Sequence, residues 1–135
     1  MRDVRLSQVS VGDELPPLAI PLTTSLIVGG ALASRDFTPV HHDRSAAQAV
    51  GMPDVFMNIL TSNGLLGRYV TDWAGPNATI RGVKLRLGTP NHPGDTMTLR
   101  GRVAAKEGDE VVLDVVGKNA WGNHVTATVR VALLQ

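Results

Sequence analysis

The stretch ASRDFTPVHHD, from Ala33 to Asp43, is the segment around which the rest of the chain is organised. Within it, Asp36 and His41 lie five positions apart, with Thr38 and Pro39 between them. Pro39 fixes its own φ and disfavours helical backbone at the residue before it, so the two side chains do not share one face of a regular helix. The sequence predicts a rigid bend that leaves an extended segment.

A carboxylate and an imidazole at such a bend can surround one water molecule, as proton transfer near neutral pH requires. The structural alternative is that Asp36 is only a turn residue and that the paired histidines lie on the surface. A third interpretation groups Asp36, His41, His42 and Asp43 as metal ligands, because a borderline cation accepts these residue types. Asp43 is also a good helix cap, and we expect no metal here and a side chain of His42 that points elsewhere.

Downstream of the bend the sequence predicts two helices. Asp43 is a good N-cap for a short helix over residues 44–50, and Gly51 suits the position after its end. Asp54 is expected to cap the longest helix, from Val55 to about Trp73. Its apolar residues recur at helical spacing and are Phe56, Ile59, Leu60, Leu66, Tyr69, Val70 and Trp73. Its interior glycines, Gly64 and Gly67, predict close contact with a sheet, with simple weakening or bending of the helix as the alternative.

Extended segments account for most of the remaining chain. In residues 11–17 a turn precedes a short extended piece that two prolines are expected to stop. Residues 18–35 fit either extended chain or a short helix from Leu26 to Ser34. Four long strands with turns between them are predicted at residues 78–88, 95–106, 110–120 and 124–133. The sequence thus predicts an α+β fold, in which an antiparallel meander follows one long helix.

Size and composition limit the class of protein. The chain has 135 residues, which fit a single domain over 1–135, and 13 basic against 12 acidic side chains. This nearly neutral net charge gives no indication of electrostatic binding to nucleic acid or to an anionic membrane. The absence of cysteine excludes disulfides, thiolate nucleophiles and cysteine-ligated metals. We expect no signal peptide, no membrane span and a cytoplasmic location. One helix cannot cover both faces of such a sheet, so we also expect a partner subunit.

The motifs resemble those of the MaoC-like (R)-specific enoyl-CoA hydratases, which have a hot-dog fold with a long central helix wrapped by an antiparallel sheet. The family pattern Gly-Asp-x-Asn-Pro-x-His stands here as Arg35 to His41, and VGDELP (11–16) and PGDTM (93–97) are similar to family positions. FMNILTSNGLLGRYVTDWAGP (56–76), LRLGTP (85–90) and HVTATV (124–129) resemble the small subunits of bacterial steroid side-chain hydratases. Those enzymes pair two different MaoC-like chains.

The resemblance implies a reaction and its residues. Asp36 and His41 would be the catalytic acid–base pair, and water would add to a trans-2-enoyl-CoA with no cofactor. The backbone N–H of Asn58 would polarise the thioester carbonyl, with Met57 and Phe56 beside it at the substrate. A larger MaoC-like partner chain would complete the acyl-CoA pocket. Arg35 and Thr38 depart from the glycine and asparagine of the family motif, and Met57-Asn58 replaces its His-Gly pair.

Several alternatives stay open at this stage. The substrate could instead be an ordinary fatty acyl group on CoA or acyl carrier protein, or the chain could be a non-catalytic assembly subunit. A thioesterase is disfavoured, because residues 55–67 contain no acidic side chain. Thr61, Ser62 and Asn63 either orient Asp36 or bond back to their own helix. Tyr69 and Trp73 are expected to pack rather than to form a sterol platform. The candidates for contact with CoA phosphates, unless merely solvated, are Arg68, Arg81, Lys84 and Arg86.

Overall fold

The computed structural model describes residues 2–135 and contains three helices and five strands. The helices are α1 (Thr24–Ala33), α2 (Arg44–Ala49) and α3 (Ile59–Ala74). The strands are β1 (Glu14–Pro21), β2 (Thr79–Leu87), β3 (Thr96–Glu107), β4 (Glu110–Asn119) and β5 (Gly122–Ala132). Two short 3-10 turns cover Leu6–Gln8 and Pro39–His41. The predicted α+β class and the short helix α2, with Asp43 as its cap, are as expected.

The five strands form one antiparallel sheet in the order β1-β3-β4-β5-β2. The meander β3-β4-β5 agrees with the prediction, but β2 does not continue it. Instead, β2 pairs with β5 at the far edge of the sheet. The turn-like segment 91–94 does not close a hairpin, because Asn91 and His92 are buried and bind the backbone of Met57 and Val55. Tertiary contacts thus outweigh the local turn signal.

The first strand, β1, runs through the two prolines that were expected to stop it. Its pairing with β3 shifts register between Leu15 and Leu18, so that Pro16 and Pro17 occupy an irregularity. β1 is an edge strand, where the missing N–H groups of proline break no interior ladder. The prediction of a break was therefore wrong.

The ambiguous apolar segment after β1 is helical. Thr23 caps α1, accepting a hydrogen bond from the N–H of Leu26 at 3.0 Å. Glycine is needed at position 30 of this helix, because a Cβ there would collide with the side chain of Thr61 on α3. The absence of a side chain at Gly30 therefore lets the side chain of Thr61 on α3 pack directly against the backbone of α1.

The long helix α3 begins at Ile59, four residues later than predicted. Asn58 is its N-cap, and its side chain accepts from the N–H of Thr61 at 3.1 Å. The residues before it are not helical, because their carbonyl oxygens bind side chains instead of helix N–H groups. The carbonyl oxygen of Val55 lies 2.9 Å from Nδ1 of His92, and that of Phe56 lies 2.6 Å from Nδ1 of His41. Asp54 accepts from the adjacent N–H of Val55 and pairs with Arg44 at 3.8 Å, so it caps no helix.

The buried core lies between α3 and the inner face of the sheet. The α3 side chains that are buried are those of Ser62, Leu65, Leu66, Tyr69, Val70 and Ala74. A fully buried leucine such as Leu66 contributes roughly 1.5–3 kcal/mol relative to an exposed one. Gly64 and Gly67 do not face this interface, since a Cβ at either would meet nothing within 4 Å. The explanation of these glycines by close sheet contact was therefore wrong.

The outer face of the sheet is largely polar and does not need an apolar cover. Along β5, buried Val125, Ala127 and Val129 alternate with exposed Thr126 and Thr128. Several large exposed apolar side chains lie on or next to the helices and on the bend, namely Leu32, Phe37, Val50, Ile59 and Leu60. In residues 2–135, no helix combines the length and apolarity needed to cross a bilayer.

Candidate active site

The site is built on the sharp bend that follows α1. The N–H of Asp36 donates to the carbonyl oxygen of Ala31 at 2.9 Å, so the chain folds back against the end of the helix. Arg35 makes this possible with a φ of +56°, the left-handed conformation that normally favours glycine. The related hydratase motif has glycine here, so the conformation is that expected of the motif even though the residue is not.

The bend brings Asp36 and His41 together. The Oδ2 atom of Asp36 lies 3.4 Å from Nε2 of His41, which sits in the 3-10 turn Pro39–His41. The side chains are 25% and 10% exposed, so the pair is partly shielded and still open to a small molecule. The predicted rigid bend therefore produces the predicted juxtaposition of these two groups.

The imidazole of His41 has a defined orientation. Its Nδ1 lies 2.6 Å from the carbonyl oxygen of Phe56. A carbonyl oxygen only accepts, so Nδ1 carries a proton, and Nε2 is the ring nitrogen left to face Asp36. The Phe56 ring packs edge-on against the imidazole, with ring centroids 5.0 Å apart. The backbone and side chain of Phe56 together fix the direction in which Nε2 points.

The carboxylate of Asp36 accepts hydrogen bonds at both oxygens. Thr38 donates to Oδ1 through its hydroxyl at 2.7 Å and through its N–H at 3.3 Å. The side-chain amide of Asn58 donates to Oδ2 at 3.2 Å. These bonds, with the Thr38 hydroxyl as the largest contribution, hold the pKa of Asp36 below its ordinary value. The carboxyl group is thus maintained as an ionised acceptor.

Asn58 is placed at the junction of α1, α3 and the bend, and it is almost fully buried. Its Oδ1 accepts from both the N–H and the hydroxyl of Thr61, and its Nδ2 also donates to Oγ of Ser34 at 2.9 Å. The backbone N–H of Asn58 donates to no acceptor in residues 2–135, whereas those of Phe56 and Met57 are used. Of these three predicted substrate-binding residues, Asn58 therefore keeps a free donor.

The other two candidates next to Asn58 have different surroundings. Met57 is buried in the hydrophobic core, with its sulfur 3.6 Å from Nδ2 of Asn91. Phe56 is only half-buried and contacts the rings of His41 and His92.

A second polar cluster lies behind the start of α3. His124 is buried, with Nδ1 2.7 Å from the carbonyl oxygen of Thr89 and Nε2 2.7 Å from Oγ of Ser62. Burial lowers the pKa of His124 and keeps its ring neutral. Ser62 therefore contacts His124 rather than Asp36, and Thr61 reaches Asp36 only through Asn58.

The remaining candidates are dispersed. His42 is exposed, and no group of three or more metal-ligating side chains occurs in the described chain. Arg68 pairs with Asp72, and Arg81 pairs with Asp109 and Glu110. Lys84 and Arg86 are exposed on β2. Tyr69 and Trp73 belong to or pack against the core, as expected.

The residues that sequence reasoning missed are Ser34 and the side chains of Asn58 and Thr38. A signal existed for Asn58, because an asparagine before the apolar run ILTSNGLL is a good N-cap. Asp54 carried the same kind of signal four residues earlier and was preferred. Ser34 gave no signal, since its contact with Asn58 spans 24 residues of chain.

Comparison with known proteins agrees with this architecture. The family model described as MaoC like domain matches residues 8–131. The 3-oxo-4,17-pregnadiene-20-carboxyl-CoA hydratase beta subunit of Mycobacterium tuberculosis is 50% identical over 123 residues, or 91% of this chain and 95% of that protein. The crystal structure of the ChsH1-ChsH2 complex from M. tuberculosis contains a chain with a TM-score of 0.91 and 50% identity, covering 92% of this chain and 98% of that one.

More distant structures share the fold. R-hydratase PhaJ1 from Pseudomonas aeruginosa has a TM-score of 0.90 at 19% identity, over 98% of this chain and 87% of that one. The (R)-hydratase from A. caviae has a TM-score of 0.84 at 21% identity, over 93% and 97%. The expected hot-dog fold is thereby confirmed. Since the family model spans most of the sequence and a relative with half of its residues identical covers nearly all of it, this chain belongs to the MaoC-like family.

Proposed function

We propose that this chain is the catalytic small subunit of an enoyl-CoA hydratase that acts on a bulky, steroid-derived acyl-CoA. The observation that carries the proposal is the 3.4 Å contact between Asp36 Oδ2 and His41 Nε2 at a partly open bend. The half-identical relative is a hydratase of a pregnadiene carboxyl-CoA, which is a steroid thioester.

The two groups are arranged to hold a water molecule. In its neutral form His41 offers a lone pair at Nε2, and Asp36 offers Oδ2, 3.4 Å away. A water that donates one hydrogen to each acceptor directs its own lone pairs away from them, towards the substrate. Positioned acid–base groups of this kind typically contribute about 10² to 10⁴ in rate.

The reaction balances with these two residues alone. The water oxygen bonds to C3 of the enoyl thioester, the C2–C3 π electrons move towards the carbonyl, and one water proton is transferred to the pair. The hydrogen-bonded carboxylate of Asp36 is a poor proton carrier because its pKa is lowered. Imidazole changes charge near neutral pH, so we assign to Nε2 of His41 the transfer of this proton to C2.

The enolate oxygen needs a donor, which we assign to the backbone N–H of Asn58. This N–H stands at the N-terminus of α3, where the helix dipole favours negative charge. Its counterparts at Phe56 and Met57 already donate to Val40 and Asn91. Removal of one donor of this type typically costs about 10² to 10³ in rate. No cofactor enters the proposed reaction, whose substrate is itself the CoA thioester.

A larger MaoC-like partner is part of the proposal. The ChsH1-ChsH2 crystal structure is a complex of two differently named chains. Here, Phe37 follows Asp36 and Ile59 follows Asn58 in sequence, and both side chains are exposed, as is that of Leu60. A partner that covers these side chains would exclude water and complete the acyl pocket. We also propose a cytoplasmic location, which fits the lack of cysteine.

Two alternative functions involve the same residues. A hydratase of ordinary fatty acyl thioesters would use identical reacting atoms and differ only in pocket shape. In a purely structural subunit, nothing would require the Asp36 carboxylate to face Nε2 of His41. The geometry therefore disfavours a purely structural role.

The test is hydration by the complex co-purified with its natural partner, with a steroid enoyl-CoA and crotonyl-CoA compared as substrates. We expect the steroid thioester to have the higher kcat/KM, and Asp36→Ala to abolish hydration while the complex stays assembled. Full activity of Asp36→Ala would assign catalysis to the partner chain. Rapid hydration of crotonyl-CoA by this chain alone, as a stable homodimer, would contradict the hetero-oligomer.

A further inference from the structure

The side-chain amide of Asn58 can have only one orientation. Its Oδ1 accepts from the N–H of Thr61 at 3.1 Å, a backbone donor that cannot reverse its role. Nδ2 therefore has to point the other way, where it reaches Oγ of Ser34 at 2.9 Å and Oδ2 of Asp36 at 3.2 Å. The helix cap thus determines which atom of Asn58 faces the carboxylate.

Among residues 2–135, three side chains contact the Asp36 carboxylate: two neutral hydrogen-bond donors and one imidazole ring. Thr38, from the bend, donates to Oδ1, and Asn58, from the start of α3, donates to Oδ2. His41, from the 3-10 turn, is the titratable side chain in contact with it. Asn58 therefore binds the same oxygen that faces Nε2 of His41.

We propose that the side chain of Asn58 is a positioning residue for the hydration reaction, tying Oδ2 of Asp36 to the N-terminus of α3. This inference rests on the proposed function and deepens it. The same residue then aligns two catalytic elements, since its N–H is the proposed enolate donor and its amide holds the carboxylate. Because the N–H and the amide belong to one residue, Asn58 fixes the distance between the bound water and the thioester oxygen.

The electrostatics supports this role. The amide of Asn58 is the second-largest contribution, after the Thr38 hydroxyl, to the lowered pKa of Asp36. Loss of the donor to Oδ2 leaves the carboxylate held at Oδ1 by Thr38 and makes it easier to protonate. A carboxylate placed at position 58 would face Asp36 directly, and two carboxylates in one site raise the pKa of one of them.

Two substitutions separate this role from helix capping. Asn58→Ser and Asn58→Asp both keep a side-chain oxygen able to cap α3, and both remove the amide donor. We expect Asn58→Ser in the intact complex to lower kcat about ten- to a hundredfold with little change in KM, the loss typical of a hydrogen bond to a charged group. We expect Asn58→Asp to lower kcat further and to move the acidic limb of the pH–rate profile to higher pH. Asn63→Asp, an exposed change on the same helix, is the matched charge control and should keep the wild-type kcat and profile.

The position of the acidic limb decides the outcome even if a variant folds poorly, because it does not depend on the amount of active enzyme. Wild-type kcat in Asn58→Ser, or an unshifted limb in Asn58→Asp, would overturn the inference. Asp36→Asn, measured in parallel, tests the proposed function separately. If Asp36→Asn is inactive while both Asn58 variants behave as wild type, only the positioning role fails. If Asp36→Asn is fully active, the catalytic assignment itself fails.

Discussion

The Nδ1 atom of His41 lies 2.6 Å from the carbonyl oxygen of Phe56, and this contact fixes the orientation of the ring. Phe56 lies in the extended segment that precedes α3, and that segment is held in place by the bond from Met57 to Asn91. The orientation of the imidazole therefore depends on the loop between β2 and β3, far from the motif in sequence.

Substitution of His41 separates the two ring nitrogens. Asn at position 41 can still donate to the Phe56 carbonyl through its Nδ2, but it has no group at the Nε2 position. We expect His41→Asn to keep the thermal midpoint within a few degrees and to lower kcat about 10²- to 10⁴-fold. Steady-state kinetics and thermal unfolding of the purified complex are the measurements. Substantial activity in His41→Asn would show that Nε2 carries no proton in the reaction.

The hydroxyl of Thr38 is the largest cause of the lowered pKa of Asp36. Thr38→Val removes that donor at nearly constant volume, whereas Thr38→Ser retains it. We expect Thr38→Val to lower kcat about tenfold or more, on the scale of a lost bond to a charged group. Because the pKa of Asp36 then rises, the acidic limb of the pH–rate profile should move to higher pH. Equal profiles for the two variants would contradict the assignment.

His124 should make the fold sensitive to acid. Its pKa is lowered from 6.5, mainly by burial, so below about pH 6.5 the unfolded chain binds more protons than the native one. Stability contributed by the neutral ring is therefore lost as the pH falls. His124→Asn keeps a donor for the Thr89 carbonyl and cannot take up a proton. We expect the midpoint of thermal unfolding to fall less in this variant than in the wild type between about pH 7 and pH 5. A steeper or equal fall would exclude His124 as the source.

The contact between α1 and α3 gives a matched pair of glycine substitutions. A Cβ at Gly30 would collide with Thr61, whereas a Cβ at Gly29 would meet nothing within 4 Å. We expect Gly30→Ala to destabilise the fold by about 1–3 kcal/mol, as overpacking does. Gly29→Ala should instead stabilise it by up to about 1 kcal/mol through helix propensity. Chemical denaturation measures both, and the same sign for the two changes would refute the contact.

Local sequence signals were sufficient for much of the fold. Asp43 and Gly51 delimit α2, and the apolar alternation of residues 124–133 identifies β5, because each signal and its structural effect lie within a few residues. The start of α3 was misplaced because Asp54 and Asn58 are equally good caps. Long-range contacts of the segment between them distinguish the two, such as that of the Val55 carbonyl oxygen with His92, 37 residues further on.

In the site, too, local features could be predicted and long-range contacts could not. The approach of Asp36 to His41 followed from a proline-constrained bend and from a motif that resembled a known family. The support of Asp36 by Asn58 could not be predicted, because it joins residues 22 positions apart through the packing of two helices. The departures at Arg35 and Thr38 also became interpretable only with backbone angles and hydrogen bonds available.

The two borders of the sheet differ in what they offer to a neighbouring strand. β1 has proline at positions 16, 17 and 21, which provide no N–H, whereas β2 contains no proline. An incoming strand can therefore add along β2 but is resisted along β1. With one permissive border per molecule, edge-to-edge joining favours a pair of chains over an extended array.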